Sequence, residues 1–593
     1  MSYPRRFLVA SLLTASVAPL PGASFLDWAP TPPMGWNSWD CFATTVTEAQ
    51  TKAQADYMAA HLKAHGWKYI VVDIQWYEPG AKGHAYRPDA ILTMDDHGRL
   101  LPAPNRFPSS ADGAGFKPLA DYVHGLGLKL GVHLMRGIPR QAVEKNLPVL
   151  GTEVRAQDIA NTASICPWNP DMYGVDMSKP GAHAYYDSVF ALFASWGVDY
   201  VKVDDIARPY DEHQAETEAI RRAIDKTGRP MVLSLSPGAT ALSAASHVRE
   251  HANLWRISDD FWDRWIPVRE QFTRLAHWNE FRIPGAWPDA DMLPFGVLDL
   301  GRRSTRFTPD EQRTVMTLWS ITRSPLMHGG DMTKMDPFTL SLLTNDEVLA
   351  VNQHSENNRP LFERDDLIAW VADVPGGSSG GKYLAVFNAR DRVRSGVAHA
   401  SFVSEELARG QLDETPIDVD VSGGAQLVLT VDAVLEGSAS IHALWRDPQI
   451  HFADGSTRLL TAETWTLADS LWDSARVRKD DAGTPTGIAA QVPARIEYAL
   501  PPRAVRFTAT GVVENWGTSV AGTARFLVTV GRPGNTDTRP GVPVPVTLSD
   551  LGFDGTVKVR DLWTHEDLGE FTGDFAPVIP FHGAGLYHVS PTR

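Results

Sequence analysis

The stretch WGVDYVKVDDIARPY, residues 196–210, decides the fold, because it joins an apolar β-like run to a cluster of charges. Apolar residues dominate from Val198 to Val203, as in a strand that is buried on both faces of a parallel sheet. Lys202 and Asp204 are two residues apart, so their side chains point to the same side of the strand. The stretch therefore predicts a buried strand whose end carries a lysine and two adjacent carboxylates.

The same order of a short β-like run and a longer helical segment recurs from residue 33 to about residue 330. Repeated strand–helix units predict a parallel sheet with helices packed outside it. Short runs at Met34–Asn37, near Gly285 and at Leu326–His328 bring the expected strands to eight, which favours a (β/α)8 TIM barrel of class α/β over an open doubly wound sheet. The longer runs are KYIVVDI (68–74), LKLGVHL (128–134), DYVKVD (199–204), PMVLSLS (230–236) and NLWRIS (253–258).

After about Gln353 the helical periodicity fades, and short β runs alternate with Gly, Pro, Asn and Asp. This pattern predicts one or two antiparallel β domains of the β-sandwich type after the barrel. A chain of 593 residues is long enough for two or three such domains.

Charge and composition narrow the class of partner. The formal net charge is −16, which disfavours nucleic acid or an anionic membrane surface as the main partner. No glycine-rich phosphate-binding motif follows an early strand, so we expect no nucleotide cofactor. The chain has 19 Trp residues, whose flat faces suit either core packing or the apolar faces of sugar rings.

The N-terminus combines two arginines, Arg5 and Arg6, with an apolar run from Phe7 to about Val17 and then small residues. This order predicts a secretory signal peptide over residues 1–24 and a periplasmic or extracellular location. No later stretch approaches the length of a membrane-spanning helix. Cys41 and Cys166 are the two cysteines, and the sequence leaves open whether they pair.

In a (β/α)8 barrel the active site lies at the carboxyl ends of the strands. A single carboxylate there is most often a helix cap or a loop residue, but four strand ends that carry one are harder to dismiss. Asp204 and Asp260 are separated by two βα units, so they would face each other across the barrel mouth. The strand-end acids are Asp73, Asp204, Asp205, Asp259, Asp260, Asp289 and Asp291.

Two opposed carboxylates surrounded by Trp fit cleavage of a glycosidic bond. One would attack the anomeric carbon while the other, kept protonated, donates to the leaving oxygen. Lys202 would hold Asp204 ionised for the first role, and Arg256 precedes Asp260 in a comparable way. His133 has no second His or Cys at ligand spacing, so we expect no metal site.

At this point the chain resembles glycoside hydrolase family 27, the group of α-galactosidases and α-N-acetylgalactosaminidases. The resemblance covers about residues 30–353 and the final strands, and it implies a TIM barrel with a C-terminal antiparallel β domain. It also implies no cofactor, a carbohydrate substrate and double displacement with retention. The motifs that carry it are PPMGWNSWDCF, YIVVDIQW, LKLGVH, YVKVDD, WRISDDFWDRW, WPDADML and LWSITRSPLMHGGDMTKMD.

The resemblance also assigns roles to individual positions. It implies that Asp204 is the nucleophile and that Asp260 is the acid/base, with Asp259 as a supporting neighbour. Spacing alone could not choose between Asp259 and Asp260. The sugar-binding positions that it implies, including one substituted position, are Trp39, Asp73, Ile74, His133, Lys202, Ser236, Ala239, Arg256, Asp291 and Met292.

Three departures from the family pattern leave the substrate open. The usual Asp pair at the second strand end reads Asp73-Ile74, which suits a ring without the hydroxymethyl group and resembles β-L-arabinopyranosidases. Ser236 and Ala239 resemble the α-N-acetylgalactosaminidase pattern. His133 replaces a Tyr, and Ile206 replaces a Cys that normally forms a disulfide at the site.

The expected function is therefore that of a secreted, exo-acting retaining glycosidase that releases terminal α-D-galactose from oligo- or polysaccharides. The alternatives are a β-L-arabinopyranosidase, an α-N-acetylgalactosaminidase and a non-catalytic carbohydrate-binding protein. The last would not need a protonated acid opposite a nucleophile.

The expected domains follow from the resemblance and from the extra length after the barrel. They are a signal peptide (1–24), the catalytic barrel (25–353), a C-terminal β domain in two parts (354–395 and 540–593) and an inserted β-sandwich (396–539). The inserted part resembles a carbohydrate-binding module of a novel type.

Overall fold

The computed structural model describes residues 24–592 except 377–379, 409–412, 435–440, 471–474 and 516–522. Apart from Ser24, the predicted signal peptide lies outside these residues. Within this range, no helix combines the length and apolar character needed to cross a bilayer.

The predicted (β/α)8 barrel is confirmed. Counted along the chain, its strands are hydrogen-bonded in the order seventh, sixth, fifth, fourth, third, second, first and eighth, and each is parallel to its neighbours. The seventh strand begins two residues after Gly285, which lies in the preceding turn. In the described residues the barrel strands are β1 Met34–Asn37, β2 Tyr69–Val72, β3 Lys129–Met135, β4 Tyr200–Asp204, β5 Val232–Leu235, β6 Leu254–Arg256, β7 Trp287–Asp289 and β8 Leu326–His328.

The barrel closes between β7 and β8 through the residues that follow β7. The Leu293 amide donates to the Met327 carbonyl at 2.7 Å, and the Gly329 amide donates to the Leu293 carbonyl at 3.0 Å. The chain after β7 is thereby held beside β8, and this places Asp291 and Met292 at the barrel mouth.

The outer helices begin at conventional N-terminal signals. Thr47 and Gln50 form a capping box before the helix Glu48–His61, and Thr308 and Glu311 form another before the helix Pro309–Thr322. Among the described residues, the α-helices of seven or more residues are α1 Glu48–His61, α2 Lys117–Gly125, α3 Ala182–Trp196, α4 Tyr210–Thr227, α5 Ala245–His251, α6 Trp265–Trp278, α7 Pro309–Thr322, α8 Pro337–Leu343 and α9 Asp346–His354.

Between β3 and α3 the chain makes a long excursion at the carboxyl end of the barrel. It contains a small antiparallel sheet of Ile138–Pro139, Met172–Val175 and Ala160–Ile165. The loop between the last two strands carries Trp168 over the barrel mouth.

Antiparallel β structure follows the barrel, as predicted. A six-stranded sheet joins residues just after the barrel to the end of the chain, and it packs on a core that includes Val371, Leu384 and Val589. Its strands, in spatial order, are Glu356–Arg364, Leu367–Asp373, Lys382–Asn388, Gly583–Pro591, Val557–Asp561 and Asp567–Phe571. The strand pairs Gly541–Pro543 with Val578–Pro580 and Val546–Thr547 with Asp574–Phe575 accompany it.

Two further antiparallel sheets lie between residues 402 and 531 and enclose a separate core around Trp445, Phe507 and Phe526. One contains Phe402–Val403, Leu407–Ala408, Gln426–Ala433, Leu467–Ser470, Ala494–Ala499 and Thr523–Gly531. The other contains Glu414–Asp420, Ile441–Phe452, Thr457–Leu459, Arg476–Lys479, Pro485–Gln491 and Ala504–Asn515.

Candidate active site

The strand ends converge on one cavity of about 300 Å³, called the strand-end cavity below. Most of the predicted site residues line it: Trp39, Asp73, Ile74, Lys202, Asp204, Arg256, Asp260, Asp291 and Met292. The lining also contains Asp40, Tyr86, Trp168, Arg208, Pro237, Asp259, Phe261 and Trp262, of which only Asp259 was singled out from the sequence.

Asp204 ends β4 and is 5% exposed. Its Oδ2 accepts a hydrogen bond from His133 Nε2 at 2.6 Å and lies 3.8 Å from Lys202 Nζ. Burial opposes ionisation of Asp204, but Lys202 and His133 outweigh it and hold the pKa of this carboxyl below its usual range. Its Oδ1 has no hydrogen-bond partner among the described residues. The arrangement provides an ionised carboxylate in the wall of the strand-end cavity.

Lys202 also binds the carboxylate at the end of β2. Its Nζ donates to Asp73 Oδ2 at 2.9 Å, and Asn37 Nδ2 donates to the same oxygen at 2.7 Å. Burial disfavours the charged lysine, but Asp204 and Asp73 raise its pKa above the usual value. One buried cation therefore serves two strand-end carboxylates.

Asp205, the second carboxylate of the opening stretch, turns away from the cavity. Its φ is +61°, so the alternation of the strand ends there. Arg136 Nη2 donates to Asp205 Oδ2 at 2.7 Å, and Arg136 Nη1 donates to Glu216 Oε1 at 2.9 Å. Asp204 therefore faces the cavity, whereas Asp205 connects the end of β4 to α4 through Arg136 and Glu216.

Asp260 lies in the loop after β6, and its Oδ1 is 3.4 Å from Arg256 Nη2. Its side chain is 42% exposed and lines the strand-end cavity. Burial among these groups raises the pKa of Asp260 to about 6, with Arg256 opposing the shift and Asp291 adding to it. This carboxyl can therefore hold a proton at mildly acidic pH.

The neighbouring Asp259 is in a different environment. Arg208 donates to it through both terminal nitrogens, with Nη1 2.9 Å from Oδ2 and Nη2 2.8 Å from Oδ1. This bidentate pairing occupies both oxygens of Asp259. The structure therefore separates Asp259 from Asp260, which the sequence spacing could not do.

Arg256 is held in place from behind by acids at the end of β7. Its Nη2 lies 2.8 Å from Asp291 Oδ2, which also accepts the Phe261 amide at 2.7 Å. Asp291 has a φ of +81° and donates its own amide to Asp289 Oδ1 at 2.9 Å. Burial raises the pKa of Asp289 to about 7 despite the nearby Arg256. The guanidinium is therefore fixed in orientation before a substrate enters.

Ile74 lies beside Asp73 at the end of β2 and is 1% exposed. It lines the strand-end cavity, so this part of the wall is apolar. The Ile74 amide donates to Asp73 Oδ1 at 2.8 Å, which orients the one carboxylate that remains at this strand end.

An aromatic wall covers one side of the cavity. The Trp39 and Tyr86 rings are parallel, with centroids 6.3 Å apart, and Tyr86 also contacts Trp168 at 5.4 Å. Tyr86 and Trp168 come from loops after β2 and β3, which sequence periodicity does not describe. The sequence signal that could have identified Tyr86 and Trp168 is an aromatic residue in a long loop at the carboxyl end of a strand.

Three predicted residues do not line the strand-end cavity. His133 is fully buried and reaches it only through Asp204, and Ser236 Oγ lies 3.4 Å from Arg256 Nη1. Ala239 has no contact with the site among those described, and Pro237 lines the cavity instead. Cys41 and Cys166 are both buried and do not form a disulfide.

Asp73, His133 and Asp204 have ligand atoms within 4.8 Å of one another, as a metal site would require. The ammonium of Lys202 already contacts both carboxylates, so a protein cation supplies the charge that a metal would bring. This group fits an ion-paired site better than a metal centre.

Comparison with known proteins agrees with this geometry. The sequence profile of alpha galactosidase A matches residues 31–143 and 171–354, and that of the alpha galactosidase C-terminal beta sandwich domain matches residues 520–589. Alpha-galactosidase A from Cellvibrio japonicus is 30% identical over 361 residues, which is 58% of this chain and 72% of that protein. Alpha-galactosidase 2 from Arabidopsis thaliana is 29% identical, over 58% of this chain and 72% of its own.

A solved structure matches nearly the whole chain. The GH27 β-L-arabinopyranosidase from Geobacillus stearothermophilus is 39% identical, with 96% of this chain and 99% of that chain covered and a TM-score of 0.69. The similarity therefore extends through the β structure that follows the barrel.

Proposed function

The chain belongs to glycoside hydrolase family 27, and on that premise we propose that one active site hydrolyses terminal β-L-arabinopyranosides and α-D-galactosides, with the arabinopyranoside preferred. L-Arabinopyranose is galactose without C6, so the two glycosides present the same ring stereochemistry to the catalytic groups. The curated relatives are named alpha-galactosidases, which supports the galactoside activity expected from the sequence.

The observation that carries the preference is the side chain of Ile74 in the cavity wall. A galactose ring carries a hydroxymethyl group that needs a hydrogen-bond partner, and an apolar wall leaves that group unpaired. A ring without this group loses nothing there and packs against the isoleucine. Similarity to a β-L-arabinopyranosidase over nearly the whole chain also supports a preference for the arabinopyranoside over the galactoside.

The proposed reaction begins with attack by Asp204 on the anomeric carbon. As the Asp204–carbon bond forms, the bond to the leaving oxygen breaks, and that oxygen takes the proton of Asp260. Water then attacks the anomeric carbon of the glycosyl–enzyme ester, and the bond from this carbon to the Asp204 oxygen breaks. The water gives a proton to Asp260, so both carboxyl groups return to their starting states. Two displacements at one carbon give net retention of configuration.

The electrostatics of the cavity support these roles. The lowered pKa of Asp204 keeps the attacking carboxylate ionised, and the pKa of about 6 at Asp260 keeps a proton available. Lys202, between Asp73 and Asp204, offers further N–H donors to a sugar hydroxyl while it neutralises both acids. A carbohydrate-binding protein without catalysis would have no use for this separation of pKa values.

The decisive test is to exchange Ile74 for Asp and compare kcat/KM on 4-nitrophenyl β-L-arabinopyranoside and 4-nitrophenyl α-D-galactopyranoside. The wild type should favour the arabinoside. Ile74→Asp restores an acceptor for the hydroxymethyl group and should move the ratio toward the galactoside by about 10-fold or more. Ile74→Val is the matched control, since it keeps the wall apolar and should leave the ratio nearly unchanged.

If the wild type prefers the galactoside, or if Ile74→Asp and Ile74→Val change the ratio equally, the arabinoside preference is wrong. Such a result would leave the α-galactosidase activity as the main function. We do not propose α-N-acetylgalactosaminidase activity, because Ser236 and Ala239 do not line the cavity.

Two sequence predictions remain proposals beside this one. We propose export to the periplasm or the cell exterior from the order of segments in residues 1–24, and cell fractionation tests it. Carbohydrate binding by the β structure of residues 396–539 is likewise proposed from resemblance alone.

A further inference from the structure

A cluster of metal-ligating side chains lies on the outer wall of the barrel, where α4 and α5 meet. Glu218 on α4 and the pair His247 and His251 on α5 have ligand atoms within 4.8 Å of one another. The two histidines are four residues apart, so both project from one face of α5. Their rings stack with centroids 4.2 Å apart and planes at 19°.

The Nδ1 atoms of both histidines already have hydrogen-bond partners, which leaves the Nε2 atoms as the candidate metal ligands. His251 Nδ1 donates to the His247 carbonyl at 2.7 Å, so the neutral His251 ring carries its lone pair on Nε2. His251 Nε2 has no hydrogen-bond partner in the described part of the chain. Metal-binding histidines characteristically use their other nitrogen in this way, and a backbone carbonyl is a common acceptor.

His247 can take either tautomer without losing its partners. Its Nε2 lies 3.1 Å from Glu218 Oε1, and its Nδ1 lies 2.9 Å from the Tyr210 hydroxyl. A tyrosine hydroxyl both donates and accepts. Without metal, Nε2–H donates to Glu218 and the Tyr210 hydroxyl donates to Nδ1. With metal on Nε2, Nδ1–H donates to the Tyr210 oxygen instead.

We propose that Glu218, His247 and His251 form a zinc site that links α4 to α5. Two imidazole nitrogens and one carboxylate are a recurrent ligand set for Zn²⁺. Ligand atoms on one zinc ion, each about 2 Å from it, lie within about 4 Å of one another, so small side-chain rotations suffice here. The partly exposed position leaves water as the fourth ligand.

The position of the site indicates a stabilising role. The chain that leads into α4 leaves the barrel at Asp204, and the chain that leads into α5 carries Pro237, which lines the strand-end cavity. A zinc ion that joins the two helices would hold both loops at their outer ends. It would raise the stability of the folded protein and take no part in the chemistry.

This site departs from the sequence-based prediction of no metal. That prediction considered His133, whereas His247 and His251 are at ligand spacing in SHVREH, residues 246–251. The third ligand, Glu218, comes from another helix, so only the tertiary structure completes the set.

The test uses the tag-free full chain, treated with a chelator, dialysed and titrated with zinc chloride alone by calorimetry, with elemental analysis of the product. We expect one zinc ion per chain, a higher Tm with zinc and unchanged kcat/KM. His251→Ala should abolish this binding and the Tm increase while activity remains, and Tyr210→Phe should weaken binding about 10-fold. His354→Ala, at the end of α9, is the matched control and should bind as the wild type does.

Absence of stoichiometric zinc in the folded wild type would overturn the proposal without reference to any variant. Binding that survives His251→Ala, or that lowers activity at one equivalent of zinc, would place the ion elsewhere. Such inhibition would indicate that zinc binds to the group of Asp73, His133 and Asp204 instead. Should His251→Ala fold poorly by circular dichroism, His251→Gln gives the same comparison.

Discussion

The ends of β4 and β6 are each followed or closed by a pair of adjacent aspartates, and the environments of the two pairs differ. At β4, Asp204 is buried against Lys202 and His133, and its pKa is lowered. At β6, Asp260 faces the cavity with Arg256 at 3.4 Å, but burial and the nearby Asp291 outweigh this cation and raise the pKa of Asp260 to about 6. Two identical side chains therefore acquire opposite pKa shifts, because Lys202 and His133 both act on Asp204, whereas burial and the neighbouring acid Asp291 outweigh Arg256 at Asp260.

Each pair also has a second member that a cation removes from the chemistry. Asp205 is bound by Arg136, and Asp259 is bound by Arg208. These neighbours are internal controls, since they differ from the proposed catalytic residues by one position in the chain and not in chemical type.

The largest expected effect follows removal of the carboxylate at β4. Asp204→Gly should lower kcat/KM on an aryl β-L-arabinopyranoside by at least about 10⁴-fold, because no group remains to form the covalent intermediate. Added azide should enter the vacated space and give a glycosyl azide of inverted configuration, which NMR identifies. Asp205→Asn is the control: it should cost stability, through Arg136, and leave the activity of the folded fraction within about 10-fold. Equal losses in both variants would contradict the assignment of Asp204.

A smaller effect, dependent on the leaving group, is expected at β6. Asp260→Asn should slow hydrolysis of alkyl glycosides by about 10² to 10⁴-fold, because an alkoxide leaves poorly without a proton. Aryl glycosides with acidic phenols need little protonation and should react in their first step at nearly the normal rate. Asp259→Asn should not show this dependence on the leaving group. A Brønsted plot across substituted aryl glycosides distinguishes the two, and a flat plot for Asp260→Asn would refute the acid role.

The smallest effect is on the pH profile of the wild type. Asp260 must be protonated to act as an acid, so kcat/KM should fall above pH 6 by about tenfold per unit, while the low pKa of Asp204 keeps the acidic limb well below pH 4. Lys202 lowers the pKa of both acids, so Lys202→Met should move both limbs to higher pH. Rates measured from pH 3 to 9 test this, and a profile that stays in place would show that Lys202 does not set the protonation states.

The barrel, the β structure after it and the positions of the strand-end acids could be predicted from local sequence patterns. Apolar runs that alternate with amphipathic helices predict a barrel. Parallel strands buried on both faces are apolar throughout, whereas helices buried on one face are apolar only along one stripe. Lys202 and Asp204 were assigned to one side of β4 because side chains alternate along a strand.

That rule ends where the strand ends, and from there only the tertiary structure decides direction. The backbone at Asp205 adopts a positive φ, so its side chain meets Arg136, and no periodicity foretells this. Tyr86 and Trp168 reach the cavity from loops, and Ala239, predicted to bind sugar, does not line it.

The sequence by itself determined the barrel, the antiparallel β structure after it and the strand ends that carry acids, because these depend on the order of residues along the chain. The tertiary structure decided which member of each aspartate pair faces the cavity, which wall Ile74 forms and which helix brings Glu218 to His247 and His251. Those outcomes depend on distances between residues far apart in the chain, and electrostatic and hydrogen-bond energies are set by such distances.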